Sequence, residues 1–96
     1  MRIAGRELLE LFCGKHADAR AWIESFLADV ELAVWTKPRD IRNQYASASF
    51  LAQSVVIFNV KGNAYRLEVA VAYRTGIVSI RWAGTHREYD ERNRKR

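Results

Sequence analysis

Apolar residues recur along this chain with two periods, and the change from one to the other divides it in half. In the first half the spacing is helical. Leu8, Leu11 and Phe12 stand at i, i+3 and i+4, and Trp22, Ile23, Phe26, Leu27 and Val30 form a longer stripe of the same kind. The first stripe predicts a helix over 6–12, preceded by a short strand over 1–3 and ended by Gly14; the second predicts a helix of about four turns with Asp18 as its N-cap. Thr36-Lys37-Pro38 reads as a third helix start, because proline in a first turn gives up no needed N–H and Asp40 suits the positive end of the helix dipole. That helix is expected over 39–45, and the small residues of 46–53 predict a loop.

From Ser54 onward the period becomes two. Strands are expected over 54–61, 64–74 and 77–84, joined by tight turns at Lys61-Gly62-Asn63 and Thr75-Gly76. Alternation puts Val56, Phe58, Val60, Tyr65, Leu67, Val69, Val71, Tyr73, Val78, Ile80 and Trp82 on one face, which buries them under the helices. Ile57, Asn59, Lys61, Arg66, Glu68, Ala70, Ala72, Arg74, Ser79, Arg81 and Ala83 fall on the other. Helices followed by an antiparallel meander predict an α+β domain with helices packed on one sheet face and the opposite face left open. At 96 residues the chain is expected to be one domain over 1–96, ending in a short basic tail from about residue 91. Trp22 and Trp35 suit the core or a partner contact, and His16 the surface.

Charge changes this picture in one respect. The net charge of +5 is carried wholly by the second half, since residues 1–48 hold seven basic and seven acidic side chains whereas 49–96 hold nine and four. A sheet and tail of that sign suit a polyanion, nucleic acid foremost, although basic tails also serve solubility alone. Cys13 is the sole cysteine, which excludes an intrachain disulfide, and with only His16 and His86 as further soft ligands a structural zinc site is not expected. Neither a metal nor a cofactor is expected. No apolar run approaches the roughly 20 residues of a membrane span, and the N-terminus has no signal-like apolar core, so a soluble, cytoplasmic protein is expected.

On the open face, Asn59, Lys61, Arg66 and Arg81 are expected to converge, with Glu68 placed to pair with either arginine. A guanidinium fork matches phosphate oxygens. The segments carrying these residues are Phe58-Asn59-x-x-Gly62-Asn63-x-Tyr65-Arg66-Leu67, then Ile80-Arg81, then Gly84-Thr85-His86-x-Glu88-Tyr89-Asp90, with Trp35-x-x-Pro38 before the third helix. Together they resemble the HigB-type toxins of bacterial type II toxin–antitoxin systems, within the RelE-like group of mRNA interferases. The resemblance implies a RelE-like fold and a metal-independent endoribonuclease that cuts mRNA in the A site of the 30S subunit. It also implies silencing by a cognate helix-turn-helix, HigA-like antitoxin.

For such a cleavage, Arg66 and Arg81 suit the charge on the transition state, while His86 and Tyr89 suit proton transfer, Tyr89 alternatively positioning or stacking. Asn59, Lys61, Asn63, Arg74 and Arg87 are the candidate RNA contacts, with Arg92, Arg94, Lys95 and Arg96 adding a basic tail. Simpler roles stay open: Thr85-x-x-Glu88 has capping-box spacing, so His86 and Glu88 can merely cap a short turn, and Tyr89 can pack over the sheet edge. Two other functions also stay open, a non-catalytic RNA-, ribosome- or gyrase-directed toxin of the same fold, and a partner that binds an operator only with its antitoxin.

Overall fold

Two helices lie across one face of a five-stranded sheet in this computed structural model, which describes residues 1–94. The elements run β1 (Arg2–Ala4), α1 (Arg6–Lys15), α2 (Arg20–Leu32), α3 (Pro38–Gln44), β2 (Ser49–Phe50), β3 (Val55–Val60), β4 (Tyr65–Ala72), β5 (Ile77–Thr85) and α4 (His86–Arg94). The strand order is β1-β5-β4-β3-β2, antiparallel except that β1 runs parallel to β5. The α+β expectation holds, with a mixed sheet in place of a wholly antiparallel one. β1 can lie parallel because the chain between β1 and β5 is long enough to cross over the sheet.

The helical stripes meet the strands as their spacing requires. Leu9 and Phe12 of α1 and Ile23, Phe26 and Val30 of α2 are buried with Val56, Phe58, Leu67, Val69, Val71, Val78 and Ile80. Phe26 packs edge-on against Phe58 with ring centres 4.9 Å apart, and Tyr45 closes the cluster at 5.2 Å from Phe58. The Tyr45 hydroxyl donates to Asp29 at 2.6 Å, and burial with that carboxylate drives its pKa up. Trp35 is buried at the foot of α3. Burial raises the Cys13 thiol pKa too, so this residue behaves as a small apolar side chain.

Three helix boundaries differ from expectation. α1 runs through Gly14 to Lys15, because Phe12 and Cys13 are anchored in the core and outweigh the about 1 kcal/mol that a glycine costs inside a helix. Asp18 does not cap α2: it sits in a single 3₁₀ turn over Ala17–Ala19, and its carboxylate accepts from Tyr65 Oη at 2.6 Å and Lys61 Nζ at 3.1 Å instead. The third departure is α4, a nine-residue helix where only a short turn was expected. Between β1 and α1, Gly5 adopts φ 89°, and a Cβ there would lie 3.0 Å from the Ile80 carbonyl oxygen. Glycine therefore lets α1 start directly against β5.

Candidate active site on the open sheet face

The open face is shaped by one extra residue. β4 and β5 pair in regular register from Ala72↔Ile77 to Val69↔Ile80, then resume at Glu68↔Trp82, which leaves Arg81 unpaired as a β-bulge. A bulge moves everything beyond it to the other side of the sheet. Trp82 is therefore not a core residue: it shares the open face with Glu68, and Gly84 shares it with Arg66, while Ala83 packs against the core opposite Leu67. Uninterrupted alternation gave the reverse assignment for Trp82 and Ala83. Arg81 itself is exposed, and its guanidinium makes no ion pair or side-chain hydrogen bond with the described residues.

Immediately after β5 the chain turns into α4 through a complete capping box. Thr85 Oγ1 accepts from the Glu88 backbone N–H at 3.0 Å, and Glu88 Oε1 accepts from the Thr85 N–H at 2.8 Å. The backbone hydrogen bond from Thr85 holds the Glu88 carboxyl below its ordinary range. Gly84 permits the close approach this needs, for a Cβ there would come within 2.7 Å of the Trp82 ring and 2.9 Å of Glu88 Oε1.

α4 buries no residue of its own, and is held to the sheet by side chains that reach inward. Arg92 bonds Glu68 at 2.8 Å and lies over the Trp82 ring at 5.1 Å, while Tyr89 meets Trp82 at 6.0 Å. Glu68 is thus buried in an ion pair with Arg92, where pairing with Arg66 or Arg81 was expected. Arg92 belongs to this helix, with Arg94 exposed at its end; Lys95 and Arg96 lie outside the described residues.

Across the strands the register aligns Asn59, Arg66 and Gly84, and His86 follows two residues later, its N–H donating to the Ala64 carbonyl at 3.1 Å. Arg66 is half-buried. Its guanidinium donates to Asn63 Oδ1 at 2.8 Å and to the Tyr65 carbonyl at 3.1 Å, neutral acceptors that fix the fork without cancelling its charge. His86 Nδ1 lies 2.8 Å from Asp90 Oδ2, one helical turn on. A carboxylate only accepts there, so Nδ1 carries the hydrogen and Nε2 is left for another group. Asp90 closes the Gly84–Asp90 motif, and its i, i+4 spacing from His86 is the sequence signal for this pair.

Several candidates do not join this group. Lys61, the first residue past β3, has φ 53°, which ends the alternation and sends its ammonium to Asp18 on the helix side. Arg74 lies in the turn beyond Ala72, at the far end of β4, about 25 Å along the strand from Arg66. Arg87 points off α4 into solvent, 3.9 Å from Glu91. Asn59 is half-exposed, its amide 3.5 Å from the Ser47 carbonyl. His16, expected at the surface, is half-buried between the rings of Phe12 and Tyr65, at 5.1 and 4.9 Å. Among the described residues no three His, Cys, Asp or Glu side chains cluster as a metal site, and no helix is long and apolar enough to cross a membrane.

The arrangement therefore offers two guanidinium groups without carboxylate partners among the described residues, Arg66 and Arg81, and, at the start of α4, a carboxylate-oriented imidazole. No curated protein matches the sequence. A family model does, that of the HigB toxin, a RelE-like toxic component of a toxin–antitoxin system, over residues 19–92. That span takes in α2 to β5 and α4 as far as Arg92, so the bulge, the capping box and the Glu68–Arg92 clamp all fall inside it. The chain belongs to the HigB family of RelE-like toxins, the toxic halves of toxin–antitoxin pairs.

Proposed function

We propose that this toxin is an endoribonuclease that cleaves mRNA on the ribosome, in the cytoplasm, until a helix-turn-helix antitoxin silences it. The observation that carries the reading is the pair of guanidinium groups, Arg66 and Arg81, that have no carboxylate partner among the described residues, together with an imidazole whose tautomer is fixed by Asp90. The substrate's 2′-hydroxyl attacks the neighbouring phosphorus and gives its proton to a base; the phosphorus–5′-oxygen bond breaks, and an acid protonates the leaving oxygen. A 2′,3′-cyclic phosphate and a 5′-hydroxyl result. Arg66 and Arg81 neutralise the charge that builds on the equatorial oxygens. His86 Nε2 and the Tyr89 hydroxyl are the groups able to move the two protons, and Asn59 and Asn63 hold the RNA backbone beside Arg66.

The test is expression of wild type, Arg66→Ala and Arg81→Ala with primer extension on a reporter messenger. Each arginine serves charge development and not the core, so each variant is expected to fold, bind antitoxin and cleave about 10²- to 10³-fold more slowly. Undiminished cleavage by a stable Arg81→Ala protein refutes the assignment.

A further inference from the structure

β1 pairs with β5 only as far as Ser79, so beyond that residue the outer edge of β5 has no strand of the described residues beside it. A cavity of about 220 Å³ lies along this edge, lined by Leu8, Leu11, Phe12 and Lys15 of α1 and the following His16 on one side and by Trp82, Ala83 and Gly84 of β5 on the other, with the Glu88 carboxylate of α4 also in its wall. Which backbone groups face it follows from the register. The hydrogen bond from His86 N–H to the Ala64 carbonyl makes His86 and Ala64 a hydrogen-bonded pair, so in the alternating antiparallel pattern Thr85 and Ala83 direct their N–H and C=O away from β4. The Thr85 N–H bears this out by donating to Glu88. Ala83 is left presenting one donor and one acceptor to the cavity. Leu11, at its mouth, is 71 % exposed.

Resting on the nuclease reading, we infer that this cavity is a subsite for one unpaired nucleobase of the RNA. The base packs against the Trp82 indole and the Leu8 and Leu11 side chains, with its edge on the Ala83 backbone and its phosphate near the Lys15 ammonium. A partner's β strand suits the edge less well. Glu88 already occupies the Thr85 donor, the Arg81 bulge distorts the strand on the other side, and α1 walls the edge, which leaves a single residue free to pair where a ladder needs several. A planar ring with polar edges needs only that much. Trp82 joins the cavity to the site described above, since the same indole contacts Tyr89 and Arg92.

Titration of the full chain with adenosine 5′-monophosphate, followed by ¹H–¹⁵N NMR, tests this, with ribose 5-phosphate as the base-free control. Saturable shifts of the Ala83 amide and the Trp82 indole N–H are expected with the nucleotide and not with the control. Gly84→Ala, whose Cβ would lie 2.7 Å from Trp82 Cζ2 and Cη2, displaces that ring and should weaken nucleotide binding roughly five- to hundredfold, the range of a base–aromatic stack. Lys15→Ala, on an exposed helix face, should weaken it while leaving the fold intact. Equal shifts with ribose 5-phosphate, an unmoved Ala83 amide, or saturation of this edge by an antitoxin peptide instead would each overturn the subsite. Base binding at Ala83 without RNA cleavage keeps the subsite and removes the nuclease reading; cleavage with Ala83 unmoved by nucleotide does the reverse.

Discussion

Replacing Arg92 by methionine should loosen α4 more than any other single change in that helix. The helix buries none of its own residues, so its hold on the sheet comes from the guanidinium on Glu68, the same group over Trp82, and the Tyr89 contact. Methionine keeps an apolar stem of similar reach and removes the charge. The Glu68 side chain is only 9 % exposed, so its carboxylate loses a charged partner in a poorly hydrated place. Breaking a fully buried pair costs about 3–5 kcal/mol. Two facts lower that figure here. Arg92 is 30 % exposed, so solvent already screens the pair, and α4 can lift from the sheet, letting water reach Glu68 and capping the loss at the free energy of docking. About 1–3 kcal/mol is expected, a fall of about 4–8 °C in melting temperature per kcal/mol for a domain of this size. Thermal and urea denaturation measure the loss, and hydrogen exchange should show it first in the α4 amides. Glu68→Gln combined with Arg92→Met should recover part of it, because the buried carboxylate charge is then removed together with the guanidinium. His86 and Tyr89 ride on α4, so cleavage should fall as well. Stability within about 0.5 kcal/mol of wild type, with α4 protection unchanged, refutes the clamp.

Glu88→Ala removes one half of the capping box and should cost about 0.5–2 kcal/mol, toward the lower value because the site is solvent-exposed. Since the Thr85 hydrogen bond lowers the Glu88 pKa from its ordinary 4.5, the wild-type advantage is present above that value and disappears as pH falls through the lower folded-state value. Melting temperatures of both proteins between about pH 2 and 7 should therefore converge in acid, and a constant gap would refute the charge contribution. His86→Gln keeps a hydrogen-bonding group opposite Asp90 but cannot carry a proton, so single-turnover cleavage should slow about 10²- to 10⁴-fold with little change in stability. An unchanged rate would pass proton transfer to Tyr89 or to water.

The core was legible because its rules are local. Phe26 meets Phe58, and Leu67, Val69 and Val71 meet the helices, as the two apolar periods require, and Arg66 falls on the open face that alternation suggests. What could not be read depends on single residues that interrupt a period. Arg81 looks like any strand residue in the sequence, yet as the unpaired member of a bulge it turns Trp82 from a core side chain into a wall of the site. Lys61 looks like the last outward-facing residue of a strand, yet its positive φ delivers its charge to Asp18. α4 is polar all round, with no apolar stripe to mark it; only the Thr85-x-x-Glu88 capping box announced its start. Its structure is paid for at long range, by Glu68 on β4, 24 residues before Arg92. These interruptions fall within the stretch that carries the candidate chemistry, where a regular sheet would have left Arg81 hydrogen-bonded in a ladder and Trp82 under the helices. The bulge places the indole where α1, β5 and α4 meet, so the irregularity that defeats alternation also shapes the candidate site.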